Sequence, residues 1–442
     1  MLTGNKAKDI VAWGRTQNSI NHFVKKKYDS CQATGSYFQT QRHIETLKQY
    51  IIQSSVNCNN AFNSTVCLVD LDEVERRHEM FREHLPRVKP YYAVKCNSDQ
   101  KLLKFMKNNL KLNFDCASPN EIKMINQQDN GNHNNFHSDI IYANPVKAIS
   151  HLTFAASSNV KKVTVDSVEE LRKIKEFHPN SECLIRLLVD DSNSDCRLGQ
   201  KYGASLEEVN ILMREAKKIN LKVTGVAFHV GSGGNLDNSK VFRDSIRLAR
   251  KAFDIGFDAG HHTINVLDIG GGFPGKIEHD DVFKEMAKHI RNETDRLFPS
   301  EVEIIAEPGR FYVTSSHTLG VNVIGIKETQ HYNSNEHHKY YLSDGIYGTF
   351  NSILHDHAIV EPNVLISKRN NMAESERVIS SLWGPTCDGL DCVIKTTGKL
   401  PLLDIGDWLY FENMGAYTVS AASRFNGFET PQMLYLFNDE LI

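Results

Sequence analysis

The chain has 442 residues, a length that favours two domains or more. Its 51 basic and 54 acidic side chains leave a formal charge of −3, which excludes the broad basic field of a nucleic-acid-binding protein. No run approaches the roughly 20 apolar residues of a membrane-spanning helix, and the nine cysteines show neither a paired framework nor a Cys-x-x-Cys spacing, so neither a disulfide scaffold nor a metal site is expected.

Residues 1–40 are polar, rich in Lys, Gln, Asn and Ser, and read as a loosely attached extension. They open without the charged and apolar segments of a signal peptide, so the expected compartment is the cytoplasm. Residues 71–314 alternate strand-like runs with helical patterns, the signature of βαβ units. The runs fall at 91–95, 113–115, 140–144, 162–166, 184–186, 226–229, 266–270 and 304–307, and they end on Lys95, Asp115, Asn144, Asp166, Arg186, His229, Gly270 and Glu307. Eight such runs with polar ends predict a (β/α)8 barrel, whose chemistry gathers at the carboxyl ends of its strands. Ser205 with Glu208 forms a capping box, and Val209, Leu212, Met213 and Ala216 recur behind it at helical spacing. Residues 130–137 and 330–339 read as polar loop insertions. After 315 the runs at 319–326, 340–342, 407–411, 417–421 and 432–437 follow one another without helices. Residues 41–70 and 315–442 are therefore assigned to a second, mainly antiparallel β domain.

Lys95, ending an apolar run, needs either a function or a partner, because burial penalises a lone ammonium. It can form a Schiff base with a carbonyl cofactor, or simply bridge Asp115 on the next run. Gly270, Gly271 and Gly272 follow the seventh run, where a barrel commonly binds phosphate. Ser232 and the forked guanidinium of Arg310 suit the same anion. Glu307 could hold a pyridine nitrogen protonated or bridge Arg310, and His229 could stack on a ring or fill the core. Together these residues describe a pyridoxal phosphate site.

Pro90-Tyr-Tyr-Ala-Val-Lys95-Cys-Asn97, Phe114-Asp-Cys-Ala-Ser118, Phe228-His-Val-Gly-Ser-Gly233, Ala306-Glu-Pro-Gly-Arg310, Trp383-Gly-Pro-Thr-Cys-Asp-Gly389 and Glu412-Asn-Met-Gly-Ala-Tyr417 closely resemble the eukaryotic ornithine decarboxylase family, in the same order. The resemblance runs from about residue 41 to the end of the chain. It implies pyridoxal 5′-phosphate, L-ornithine as substrate, putrescine as product, and a head-to-tail homodimer with two shared sites. By the same resemblance Lys95 carries the cofactor, His229 stacks on its ring and Glu307 faces its nitrogen. Ser232, Gly270, Gly271, Gly272, Arg310 and Tyr417 cradle the phosphate, while Asp115, Glu121 and Arg186 order the lysine and cofactor. Tyr347, Asp356, Asp388 and Phe425 match substrate positions; Cys387 matches a catalytic residue that, with Asp388, comes from the neighbouring subunit. Lys201 and Asp391 match an ion pair across the interface. His355 and Arg424 depart from the usual tyrosine and threonine. The segment matching the family's antizyme-binding region, residues 147–170, holds Lys147, Lys161 and Lys162. The chain ends without the longer degradation tail of the vertebrate enzymes, so rapid turnover through that tail is not expected.

Three rivals stand beside this reading. A barrel decarboxylase for lysine, arginine or diaminopimelate would differ in the pocket of Asp356, Asp388 and Phe425. A regulator resembling antizyme inhibitor would have lost cofactor and substrate positions, whereas Asp115, Arg186, Arg310, Tyr347, Asp356 and Tyr417 are retained. An alanine racemase would set an arginine, not Glu307, against the pyridine.

Overall fold

The computed structural model describes residues 35–57, 64–127, 138–192, 194–232, 238–328, 338–369 and 377–442. Residues 1–34 of the polar extension, the loop 130–137 and residues 330–337 of the second loop lie outside the described residues. The chain forms two compact units, residues 75–312 and residues 1–74 with 313–442. Among the described residues no helix is long and apolar enough to cross a membrane.

The interrupted unit contributes the first strand, β1 (Val66–Asp70), and the chain then enters the barrel. Its strands are β2 (Val88–Ala93), β3 (Asn113–Cys116), β4 (Ile140–Tyr142), β5 (Lys162–Val165), β6 (Glu182–Arg186), β7 (Val223–Ala227), β8 (Val266–Asp268) and β9 (Glu303–Ala306). Each pairs in parallel with the next, and β9 returns to β2 with Val88 opposite Ile304, closing the barrel. Parallel strands covered on both faces read as nearly unbroken apolar runs, as these do. Tyr91, Ile141, Leu184, Ala227, Val266 and Ile305 fill the interior. Below them Asp139, just before β4, accepts a 2.8 Å hydrogen bond from the Tyr91 hydroxyl and an ion pair from Lys162. The helix Leu206–Lys218 outside the barrel has the predicted capping box and buries Val209, Leu212, Met213 and Ala216.

The predicted strand ends need correction. β2 stops at Ala93, whose amide donates to Pro308 O at 3.3 Å, and Lys95 lies beyond it in the 3-10 turn Val94–Cys96. β7 likewise stops at Ala227, two residues before His229. Lys95 and His229 therefore sit on turns at the rim, whereas Asp115 lies within β3 and Arg186 ends β6.

In the β domain β1 is joined by β10 (His317–Glu328), β11 (His338–Leu342), β12 (Asn363–Ile366), β13 (Arg377–Trp383), β14 (Cys392–Pro401), β15 (Trp408–Phe411), β16 (Gln432–Phe437) and β17 (Glu440–Leu441). The main path runs β14-β13-β11-β10-β1-β16-β17, with β15 between β10 and β12. Two pairs are parallel, β1 with β16 and β11 with β13, and the others are antiparallel. The helix Gly35–Asn57 lays Leu47, Tyr50 and Ile51 on Leu68, Trp408 and Leu434. The strand expected at 417–421 is absent: Tyr417 stands at φ +54 and the 3-10 turn Val419–Ala421 follows. A left-handed residue cannot continue a strand, and Thr418 Oγ1 instead donates to Met414 O at 2.7 Å.

Candidate active site

The barrel rim carries the first group of predicted residues. Lys95 Nζ donates to Asp115 Oδ2 at 2.7 Å; the lysine side chain is 41% exposed and the carboxylate 1%. The second carboxylate oxygen, Asp115 Oδ1, is buried without a hydrogen-bond partner. Glu121 approaches from the helix Pro119–Asn126, whose N-cap Ser118 accepts from Glu121 N, while Glu121 Oε2 accepts from Ala117 N at 2.6 Å. Burial raises its carboxyl above the ordinary range, Asp115 adds to the rise, and the Ala117 amide and Lys95 oppose it. Arg186, at the end of β6, lies with its guanidinium 5.1 Å from the centre of the Tyr202 ring.

His229 accepts a 3.1 Å hydrogen bond from Gly231 N on Nδ1, which puts the ring proton on Nε2. Burial, with Arg186 and Lys95 nearby, holds its pKa well below the ordinary histidine value, so the ring is neutral. Next to it Gly270 (φ +64) and Gly272 (φ +104) take left-handed conformations that favour glycine. Gly271 is needed for space: a Cβ there would meet His229 Nε2 at 2.8 Å and Glu307 O at 2.9 Å. Arg310 donates from Nε and Nη2 to Ser232 Oγ at 3.2 and 2.8 Å, gathering a forked cation and a hydroxyl at one place. Gly233, which follows Ser232 in its motif, lies outside the described residues.

Glu307 follows β9 and is buried, its amide bonded to Gly270 O at 2.7 Å. Burial raises its pKa well above the ordinary glutamate value, and Asp268 and Asp115 push in the same direction. Asp268 is hidden in the sequence because it passes for one more residue of an apolar run. It is buried, accepts from Gly270 N at 2.8 Å on Oδ1, and burial brings its pKa to about 6. The facing carboxylates thus favour holding a proton near Glu307.

The β domain carries the second group. The Tyr347 hydroxyl donates to Asp388 Oδ2, and the Tyr347 and Phe425 ring centroids lie 4.5 Å apart. The Tyr347 hydroxyl and the Leu390 amide keep the Asp388 carboxylate below its usual range, hence anionic. Cys387 is exposed beside it. Asp356 ends the short helix Ser352–His355 with its amide bonded to Ser352 O at 2.9 Å. Tyr417 occupies the left-handed turn before Val419–Ala421. Arg424 lies 3.8 Å from Glu429 in an exposed ion pair.

Three more residues singled out in the sequence have defined surroundings. Asp391 is buried: its Oδ2 accepts from Thr386 N and Oγ1 at 3.0 and 2.7 Å, and its Oδ1 from Ile346 N at 2.9 Å. Lys201 is exposed with its ammonium 5.0 Å from the Tyr202 ring centre. Lys147 is fully buried as well, with Nζ bonded to three backbone carbonyls and 3.1 Å from Glu170.

An amine at a barrel rim, a glycine-lined anion cradle and a proton-holding carboxylate define a site for a phosphorylated pyridine aldehyde, and the donors and glycines present fit that group. Residues 71–314 match the family described as pyridoxal-dependent decarboxylase, pyridoxal binding domain, and the chain belongs to it. Its cofactor is pyridoxal phosphate. The chain is 45% identical to antizyme inhibitor 2 of Xenopus laevis over 377 residues, covering 83% of this chain and 80% of that one. To the ornithine decarboxylase of Schizosaccharomyces pombe it is 42% identical over 417 residues, covering 93% and 91%. The structure of the arginine decarboxylase of Paramecium bursaria Chlorella virus matches with a TM-score of 0.79 at 33% identity, over 87% of this chain and 99% of that one.

Proposed function

We propose that the chain decarboxylates L-ornithine to putrescine and carbon dioxide, acting as a homodimer in the cytoplasm. The observation that carries this reading is the Lys95–Asp115 pair at 2.7 Å, with the ammonium accessible at the rim of a site that retains the rest of the cofactor set. When bound, pyridoxal phosphate supplies the electron sink for the pair left behind by the departing carboxylate. Lys95 holds the cofactor aldehyde and Asp115 orients the amine. Glu307 would face the pyridine nitrogen and, as a carboxylate, hold a proton on it. Neutral His229 lies against the ring, and the glycine amides with Ser232 and Arg310 take the phosphate. The family resemblance adds Tyr417 to the residues assigned to the phosphate. Asp356 and Asp388 hold the far ammonium of the diamino acid, for which the anionic state of Asp388 is suited. Cys387 delivers the proton to the substrate carbon.

A regulator that binds antizyme is the second reading, favoured by the 45% identity to antizyme inhibitor 2. Buried Lys147 removes one of the charges that the corresponding segment would offer. Purified protein supplied with pyridoxal phosphate should be incubated separately with L-ornithine, L-lysine and L-arginine, and its amine products measured. Putrescine in excess of cadaverine and agmatine supports the proposal. Antizyme binding with no amine from any substrate overturns it in favour of the regulator.

A further inference from the structure

We infer that Asn426 is the positioning residue for Cys387, an assignment that rests on the proton-delivery reading above. The two lie 39 positions apart, and Asn426 Oδ1 accepts the Cys387 backbone N–H at 3.0 Å. Asn426 stands at φ +55 and ψ +13 within the turn Phe425–Gly427, a left-handed conformation that asparagine tolerates better than most side chains. The turn therefore needs a small or Asx-type residue, and the contact needs an acceptor. Asparagine provides both.

The neighbouring contacts give this bond its purpose. The residue before Cys387 is anchored through Thr386 to Asp391, and the residue after it through Asp388 to the Tyr347 hydroxyl. Phe425 packs on that same Tyr347, whose carbonyl also accepts from Ser423 N at 2.8 Å. The loop of residues 423–427 thus holds Cys387 directly through Asn426, and it packs on the tyrosine that holds Asp388. An exposed thiol on an anchored backbone samples fewer positions, and a proton donor depends on position before it depends on acidity.

The test separates the turn from the acceptor. Asn426→Gly preserves access to the left-handed turn but removes the side-chain oxygen; Asn426→Asp retains both. In the full-length protein, Asn426→Gly should speed amide exchange at Cys387 and change its rate of alkylation by iodoacetamide, each by about fivefold, the scale of one hydrogen bond. With ornithine, kcat should fall by a similar factor while KM stays within about twofold, the pattern expected when only the chemical step loses an interaction. Asn426→Asp should restore the amide protection and most of kcat. Parental exchange and alkylation in Asn426→Gly would overturn the assignment, as would an Asp variant no better protected than the Gly variant. Exchange and alkylation need no turnover, so their outcome is independent of any result on ornithine.

Discussion

Lys95 and Asp115 show how the barrel makes an amine useful: one partner is sequestered, the other reaches the opening, and 2.7 Å separates them. The strand-end lysine and the following aspartate were legible as a pair because adjacent parallel strands bring their ends together. Asp268 was not legible, since an acid inside an apolar run looks like packing until the fold sets it beside Glu307. Asn426 was hidden for another reason: its contact with Cys387 spans 39 positions, beyond any local pattern. The role given to Cys387 has a direct consequence at this scale. Cys387→Ala should slow putrescine release about 10²- to 10⁴-fold, the usual contribution of a positioned proton donor, and should divert part of the turnover to aldehyde and pyridoxamine phosphate. Chromatography of the products checks it; putrescine at the parental rate with no aldehyde would remove the thiol from the mechanism.

At the level of elements, the barrel was readable from its eight runs, whereas their exact ends were not. Lys95 and His229, counted as strand ends, stand on turns beyond their strands, while Asp115 and Arg186 do lie in theirs. In the β domain the apolar residues at 417–421 imitated a strand, but Tyr417 at φ +54 forbids one. Strands Arg377–Trp383 and Cys392–Pro401 went unread because much of each is exposed and polar, leaving no clean alternation. The glycine turn after β8 offers a steric test. In Gly271→Ala the added methyl would meet His229 and the Glu307 carbonyl below 3.0 Å. Overpacking of about 1–3 kcal/mol should weaken cofactor affinity by roughly 5- to 150-fold in an absorbance titration. A titration curve identical to the parent's would contradict the packing described.

The β domain also carries a buried proton-sensitive group. His317, fully buried and bonded to Ser316 Oγ at 2.9 Å, has its pKa lowered by burial from 6.5 to about 4. The unfolded chain therefore binds a proton that the folded domain refuses, and stability is lost as pH falls from about 6.5 through 4. Over the whole window the loss is roughly 3 kcal/mol from this residue. Urea unfolding of parent and His317→Gln should show a shallower decline with acidity in the variant. Equal slopes would mean that His317 is not the group responsible.

Across the whole molecule the two compact units divide the chemistry, Lys95 belonging to the barrel unit and Cys387 to the interrupted one. The change from alternating helices and strands to consecutive strands was legible, but the compact units divide at 74/75 and 312/313, and the helix Gly35–Asn57 begins inside the segment read as a loose extension. Its apolar face is needed by the sheet, a demand visible only once the sheet is built. The family resemblance implies that each site in a twofold dimer draws Lys95 from one chain and Cys387 from the other. Inactive Lys95→Ala and Cys387→Ala chains, mixed and allowed to exchange, should then recover roughly a quarter of the parental activity, because half the dimers are mixed and each mixed dimer has one intact site. No recovery after verified exchange would place both residues of a site in the same chain.

Turnover of ornithine, as opposed to binding a partner alone, is what separates the enzyme from the regulator. It is read most directly as release of labelled carbon dioxide from carboxyl-labelled L-ornithine by the purified protein with pyridoxal phosphate, beside Lys95→Ala. An enzyme built as described releases carbon dioxide equal in amount to the putrescine formed, at a rate at least about 10³-fold higher than the variant's, as expected when a covalent catalytic group is lost. No release by the parent protein, or equal release by both proteins, would contradict the proposed decarboxylation at Lys95.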